Sequence, residues 1–208
     1  MSLEEDIRMK LRPESMLRQL NKFRRREIGT DLDIVAGRTR FPVHRSVIVT
    51  TMSYFLERPG SVLKIKNISP RTMGTMINLA YGQKVDFKTR ELIPMSKAAR
   101  RLGCPALADL LTERIAVLLD REPAHALRFF FSSDEEEIQE HAYGIILAST
   151  EMFEEELNSL TCHKLRSFIE FNSDEGNTPT LVRVASGWVR YDEERRTRHI
   201  NCFISAGM

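Results

Sequence analysis

The chain has 208 residues, of which 42% are hydrophobic and 29% are charged, and its formal net charge is only +2. A chain of this length and apolar content can form one or two domains with substantial cores. The near-neutral balance excludes both the strongly basic composition typical of nucleic-acid-binding domains and the high net charge of disordered chains.

The charges are unevenly distributed along the chain. Residues 1–119 contain 22 Lys and Arg against 12 Asp and Glu, whereas residues 120–208 contain 9 against 17. This change from a net +10 to a net −8 predicts a domain boundary near Asp120. Opposite charges would also let the two halves, or two copies, attract each other, although surface charges alone contribute little.

The cysteines and the N-terminus indicate the cellular compartment. Cys104, Cys162 and Cys202 are an odd number at wide spacing without a CxxC motif, which disfavours a disulfide framework or a zinc finger. The charged N-terminus lacks the apolar core of a signal peptide, and the chain has no apolar run long enough to span a membrane. We therefore expect a cytoplasmic or nuclear protein with free thiols, no cofactor, no metal and no membrane association.

After a flexible N-terminus over residues 1–13, residues 14–28 predict an amphipathic helix. Its apolar residues fall at helical spacing, and its other faces are basic: the apolar set is Met16, Leu17, Leu20 and Phe23, and the basic set is Arg18, Lys22 and Arg24–Arg26. The basic cluster is either the solvated face of this helix or a localisation or nucleic-acid patch. Because no aromatic residues alternate with it and no fold signature accompanies it, direct nucleic-acid binding is disfavoured.

The next segments predict a few short strands among helices. Residues 31–43 are typical of a β-hairpin turning at Gly37, because Leu32, Ile34 and Ala36 alternate with other residues. Helical spacing follows over residues 45–55, then a strand over 62–65, and Ser69-Pro70 begins a capped helix. Two more helices are predicted over residues 91–104 and 106–119.

After Asp120 the strand patterns disappear and every segment predicts a helix or a loop. We place helices at residues 123–131, 134–149, 151–158, 162–171 and 178–191. Ser133 and Glu136 predict a capping box for the second of these helices, and residues 171–179 predict a loop. The expected core of this half consists of Phe129–Phe131, Ile145–Leu147, Phe168 and Trp188.

Three stretches carry a family resemblance. The first stretch spans residues 17–55, and its matching residues are Asp31, Phe41, His44, Arg45, Val47, Ser53, Tyr54 and Phe55. The second stretch is ISPRTMGTMINLAYGQKV at 68–85, and it is followed by Ala98, Ala99 and Leu102. The third stretch is VRVASGWVRYDEERR at 182–196. Together they resemble the BTB (POZ) and BACK region of Kelch-like proteins. The resemblance implies an α+β BTB/POZ domain over residues 14–119 and an all-α BACK domain over 120–208.

The resemblance implies homodimerisation, largely through the leading helix. Leu17, Leu20 and Phe23 would then contact a second copy of the chain. Asp31 and Arg45 match a charged pair that the family places near the dimer interface. If that pair is buried, breaking it should cost about 3–5 kcal/mol; the alternative is a surface pair that contributes less than about 1 kcal/mol.

The resemblance also implies a role as substrate adaptor of a cullin–RING ubiquitin ligase, because Kelch-like proteins bind a cullin with BTB and BACK together. Tyr54, Phe55 and Glu57 are the candidate cullin contacts. Only residues 56–61 separate Phe55 from Val62, where the family has a longer segment with a cullin-contacting helix. This short segment favours an alternative: a cullin-independent module that pairs with other BTB proteins in transcriptional regulation or cytoskeletal scaffolding.

The residues that could suggest catalysis have simpler interpretations. In the family that the chain resembles, His44 is structural. Cys162 and His163 are adjacent on a predicted helix, so their side chains do not face each other as a catalytic dyad would. Trp188 is expected to anchor the second core. We therefore predict that the protein is not an enzyme.

Overall fold

The computed structural model describes residues 13–171 and 177–199. The chain divides into two compact units, residues 1–114 and 115–208, and the division falls within the helix Pro105–Arg121. The boundary predicted from charge, near Asp120, lies in the same helix. Apart from Pro13, the predicted flexible N-terminus lies outside the described residues, as does most of the predicted loop at 171–179.

The first unit contains a three-stranded sheet and a set of helices. Its elements are α1 (Pro13–Arg25), β1 (Leu32–Ala36), β2 (Thr39–Val43), α2 (Arg45–Thr51), a 3-10 turn (Ser53–Phe55), β3 (Val62–Ile65), α3 (Pro70–Ala80), α4 (Thr89–Arg101) and α5 (Pro105–Arg121).

The sheet has the order β2-β1-β3. β1 runs antiparallel to β2, with Leu32 opposite Val43, and parallel to β3, with Asp33 opposite Val62. Alternate residues of a strand point to opposite faces, and Leu32, Ile34 and Ala36 are accordingly all buried. The predicted hairpin is therefore confirmed, and its turn at Gly37 has the positive φ of 57° that favours glycine.

The helix predicted over residues 45–55 is divided in two. α2 ends at Thr51 because Met52 adopts an extended backbone, with φ −131° and ψ 93°, before the 3-10 turn Ser53–Phe55. The next helix, α3, begins as expected: the Ser69 hydroxyl accepts a hydrogen bond from the Thr72 N–H at 3.0 Å. The core of this unit includes the fully buried side chains of Phe55 and Ile77.

In its described part, the second unit is helical. Its elements are 3-10 turns at Pro123–His125, Thr150–Phe153 and Thr197–His199 and the helices α6 (Ala126–Ser132), α7 (Glu136–Ala148), α8 (Glu154–Ser159), α9 (Cys162–Glu170), α10 (Thr178–Tyr191) and α11 (Glu193–Arg196). The predicted sequence of an α+β domain followed by a helical region is thus confirmed.

The predicted capping box of α7 is wrong. The Ser133 hydroxyl accepts a hydrogen bond from the Glu135 N–H at 3.0 Å, while Glu135 is the residue that precedes the helix. Ser133 lies two residues before the residue that caps the helix. Because the backbone is extended at both Ser133 and Glu135, the Ser133 hydroxyl does not reach the N–H groups of the first helical turn. The three predicted helices that follow agree closely with α8, α9 and α10.

The predicted core of the second unit is largely buried. Phe130 and Phe168 pack edge to face with their ring centroids 5.3 Å apart, and Ile146 is fully buried. The side chain of Trp188 is 2% exposed, and its indole N–H donates to the Leu160 carbonyl at 2.7 Å. Across the described residues, no helix has the length and apolar character needed to cross a membrane.

Candidate protein-interaction surfaces

One face of α1 packs against its own domain. Asn21 is 3% exposed and accepts a hydrogen bond from Arg24 Nε at 2.9 Å. A second guanidinium nitrogen of Arg24 donates to Asn78 Oδ1 at 3.2 Å, and the guanidinium carbon lies 5.1 Å from the centre of the Tyr81 ring. Burial lowers the pKa of Arg24. The helix is therefore held in place by polar contacts that the apolar spacing did not predict.

Tyr81 connects this helix to His44. The Tyr81 hydroxyl accepts a hydrogen bond from the His44 backbone N–H at 2.8 Å and lies 2.8 Å from His44 Nδ1, while His44 Nε2 lies 3.0 Å from the Ile28 carbonyl oxygen. Burial is the main reason that the pKa of Tyr81 is raised. His44 is thus buried among structural hydrogen bonds.

A neighbouring face of α1 carries an apolar row that is partly exposed. Met16, Leu20 and Phe23 are four and three residues apart; Met16 is 55% exposed, and the other two are half-buried. Leu17, the other predicted contact to a second copy, is half-buried as well and lies near Gly82, where an added Cβ would be 3.5 Å from Leu17 Cδ1. We call Met16, Leu20 and Phe23 the apolar row.

The structure does not form the predicted charged pair between Asp31 and Arg45. The Asp31 carboxylate accepts the backbone N–H of Arg45 at 2.7 Å, at the start of α2. The Arg45 guanidinium instead donates to the backbone carbonyls of Phe55 at 3.5 Å, Arg58 at 2.9 Å and Gly60. The reason is the short loop at residues 56–61, whose carbonyl groups lie within reach of the guanidinium.

A groove of about 560 Å³ lies beside the 3-10 turn of the first unit. Its lining residues are Ser53, Tyr54, Glu57, Arg58, Pro59, Arg100, Arg101 and Gly103. We call it the Tyr54 groove. Two of the three predicted cullin contacts, Tyr54 and Glu57, line it. The prediction for Phe55 is wrong, because its side chain is fully buried in the domain core.

Backbone hydrogen bonds hold the two walls of the Tyr54 groove together. The Ser53 N–H donates to the Gly103 carbonyl at 3.3 Å, and the Tyr54 N–H donates to the Leu102 carbonyl at 3.1 Å. Gly103 has a φ of 70°, and a Cβ at this position would overlap the Ser53 hydroxyl. Only glycine fits this close approach without strain.

The residues considered for catalysis or metal binding do not converge. Within the described residues, no group of three or more His, Cys, Asp or Glu could hold a metal ion. Cys162 is half-buried and the adjacent His163 is exposed.

Comparison with known proteins shows what the first unit is similar to. Residues 20–117 match the BTB/POZ domain family. This part of the chain is similar to BTB/POZ domains. The solved BTB domain of zebrafish PATZ1 superimposes with a TM-score of 0.46 at 25% identity, covering 49% of this chain and 89% of that one.

Relatives extend the similarity beyond the BTB/POZ domain. Human Kelch-like protein 38 is 25% identical over 201 residues, which cover 89% of this chain and 34% of that protein. Chimpanzee zinc finger and BTB domain-containing protein 32 is 37% identical over 79 residues, covering 38% of this chain and 16% of that protein. The predicted resemblance to the BTB–BACK region of Kelch-like proteins is confirmed. The chain spans about a third of the length of these Kelch-like relatives.

Proposed function

We propose that this chain is a dimerising adaptor module, which joins two copies through α1 and presents other surfaces to partners. The BTB/POZ domain and the Kelch-like relatives support a protein-interaction adaptor. The observation that carries the dimer is the apolar row. Met16 is exposed and Leu20 and Phe23 are half-buried in the single chain, so part of their apolar surface remains available to a second copy, and burying that part would stabilise the dimer by about 1–3 kcal/mol per subunit.

Light scattering on the purified chain tests the dimer. The expected mass is twice the 24.0 kDa of one chain. Leu20→Glu should shift the particle towards the monomer, because it places a charge within the row. Leu110→Glu is the matched control, since Leu110 is 62% exposed on α5, outside the row. A strictly monomeric wild-type chain at micromolar concentration, or equal effects of the two variants, would refute the proposal.

The finer proposal is that the Tyr54 groove binds a cullin scaffold and that the protein is a substrate adaptor of a cullin–RING ubiquitin ligase. Its support is the position of Tyr54 and Glu57 in one groove and the similarity to Kelch-like proteins over most of the chain. A pull-down of cullin should be weakened about tenfold or more by Tyr54→Ala. Tyr191→Ala, at a 60% exposed position of the second unit, should leave it unchanged.

A second candidate is a cullin-independent dimerisation module in transcriptional regulation or cytoskeletal scaffolding. It is favoured by the loop at residues 56–61, which contains no helix, and by the higher identity to a zinc finger and BTB domain-containing protein within the BTB/POZ region. This candidate predicts capture of other BTB proteins from a mixture in which no cullin is retained. Cullin capture that depends on Tyr54 would rule it out.

A further inference from the structure

We propose that the Tyr54 groove binds an acidic segment of a partner protein, with Arg58 and Arg101 contacting its carboxylates. This inference rests on the proposed function, because it assigns a partner chemistry to one surface of the adaptor.

The groove carries an excess of positive charge. Three of its lining residues are arginines and one, Glu57, is acidic. Among the ion pairs of the described residues, none involves Glu57, Arg58 or Arg101. The side chain of Glu57 therefore does not neutralise either arginine, and the groove attracts anions.

Arg58 is oriented for carboxylate binding by its contact with Tyr54. The guanidinium carbon of Arg58 lies 3.9 Å from the centre of the Tyr54 ring. A guanidinium stacked on a ring uses its flat face for that contact, so the N–H groups in its plane can still donate to a carboxylate, two at a time.

Arg45 fixes the loop that carries Arg58. Its guanidinium donates to the carbonyls of Phe55, Arg58 and Gly60, at both ends and in the middle of the loop. The backbone on this side of the groove is consequently ordered before any ligand arrives. A preformed wall reduces the ordering cost of binding.

Arg100 and Arg101 lie on the opposite wall, in the last turn of α4. That turn is held against the 3-10 turn by the hydrogen bonds from Ser53 and Tyr54 to Gly103 and Leu102. The negative end of the helix dipole is located here, which favours cationic side chains at this place. Attraction of an anion must therefore come from the arginine side chains, and a ligand with several carboxylates matches Arg58 on one wall and Arg101 on the other. A volume of about 560 Å³ accommodates a few residues of such a segment.

Binding of a fluorescein-labelled oligoglutamate peptide to the full chain, followed by fluorescence anisotropy, tests this inference. We expect saturable binding that weakens as ionic strength rises. Arg101→Glu should weaken binding by about tenfold or more, because it removes a charge-assisted contact and adds repulsion. Arg58→Glu should have an effect of similar size.

Two variants with the same change of charge are the controls. Arg38 is exposed in the β1–β2 turn, at the other end of the sheet from the 56–61 loop, and Arg25 is exposed on α1. Arg38→Glu and Arg25→Glu should bind as the wild type does. Thermal melts followed by circular dichroism should show all four variants folded, as expected for exposed side chains.

Each outcome decides the inference. Loss of binding in the two groove variants alone supports it. No binding by the wild type, or equal weakening by Arg25→Glu, overturns it and leaves the dimer, tested by light scattering, unaffected. The peptide binding can depend on Arg101 while the cullin pull-down is unaffected by Tyr54→Ala. That combination supports binding of an acidic segment and refutes only the cullin proposal.

Discussion

At the residue scale, the Tyr81 side chain contacts both α1 and His44. It forms two hydrogen bonds with His44, and its ring lies beneath the Arg24 guanidinium. His44 in turn contacts the Ile28 carbonyl, just beyond α1. A single phenol therefore links three segments that are distant in sequence.

Tyr81→Phe should lower the free energy of unfolding by about 1–3 kcal/mol. The substitution keeps the ring but leaves the buried His44 N–H and Nδ1 without the hydroxyl, and an unsatisfied buried polar group is costly. Urea unfolding of the full chain measures the change. Tyr191→Phe is the control, since Tyr191 is 60% exposed. Equal midpoints for the two variants would show that the hydroxyl has no such role.

The Cys104 thiol should be unreactive. Burial raises its pKa to about 11, and its Sγ lies 2.7 Å from the Thr51 carbonyl oxygen. In a Cys162→Ser, Cys202→Ser variant, we expect a maleimide at pH 8 to label the folded chain about 100-fold more slowly than the denatured chain. Because the folded state favours the neutral thiol, the free energy of unfolding should decrease as pH rises from 9.0 to about 11. Fast labelling of the folded chain would contradict both expectations.

At the scale of elements, local patterns predicted most helices and strands, and tertiary contacts set the exceptions. The alternation Leu32, Ile34, Ala36 was sufficient for β1, and α10 has its predicted bounds. The end of α2 was missed because it depends on carbonyls of residues 102 and 103, some fifty positions away. No local sequence signal reveals such a partner. Gly103 indicates only that the helix before it, α4, ends there.

Gly103→Ala should destabilise the domain by more than about 1 kcal/mol and disturb the Tyr54 groove. The new methyl group would be strained at a φ of 70° and would overlap the Ser53 hydroxyl. Gly144→Ala is a sharp control: this helical glycine has open space around its Cα, so alanine should stabilise α7 by about 0.5–1 kcal/mol. Thermal unfolding of both variants measures the difference in stability. A change of stability in the same direction for both variants would refute the prediction.

At the scale of the whole molecule, the sequence predicted the two kinds of architecture, an α+β domain followed by a helical region. It did not predict the polar contacts of Asn21 and Arg24, which hold one side of α1 against the domain. Tyr54 and Glu57 were found through the family resemblance. The other groove residues Arg100 and Arg101 were not, because their approach to the 3-10 turn exists only in the folded chain.

Trp188→Ala should destabilise the second unit by about 3–5 kcal/mol. The indole is buried, donates to the Leu160 carbonyl and lies 4.3 Å beneath the Arg196 guanidinium, so its removal leaves a cavity and an unpaired carbonyl. Val182→Ala, at a 44% exposed position of the same helix, should change stability by less than about 0.5 kcal/mol. Urea unfolding followed by far-ultraviolet circular dichroism separates the two. Similar stabilities would mean that the tryptophan is not a core anchor.

The attachment of α1 to its own domain has a kinetic consequence. Asn21 and Arg24 order the helix within a single chain, so the helix requires no second molecule in order to form. Refolding of α1 should then be first order, with a rate that is independent of protein concentration. Any pairing of subunits would follow as a separate, second-order encounter between surfaces that are already rigid.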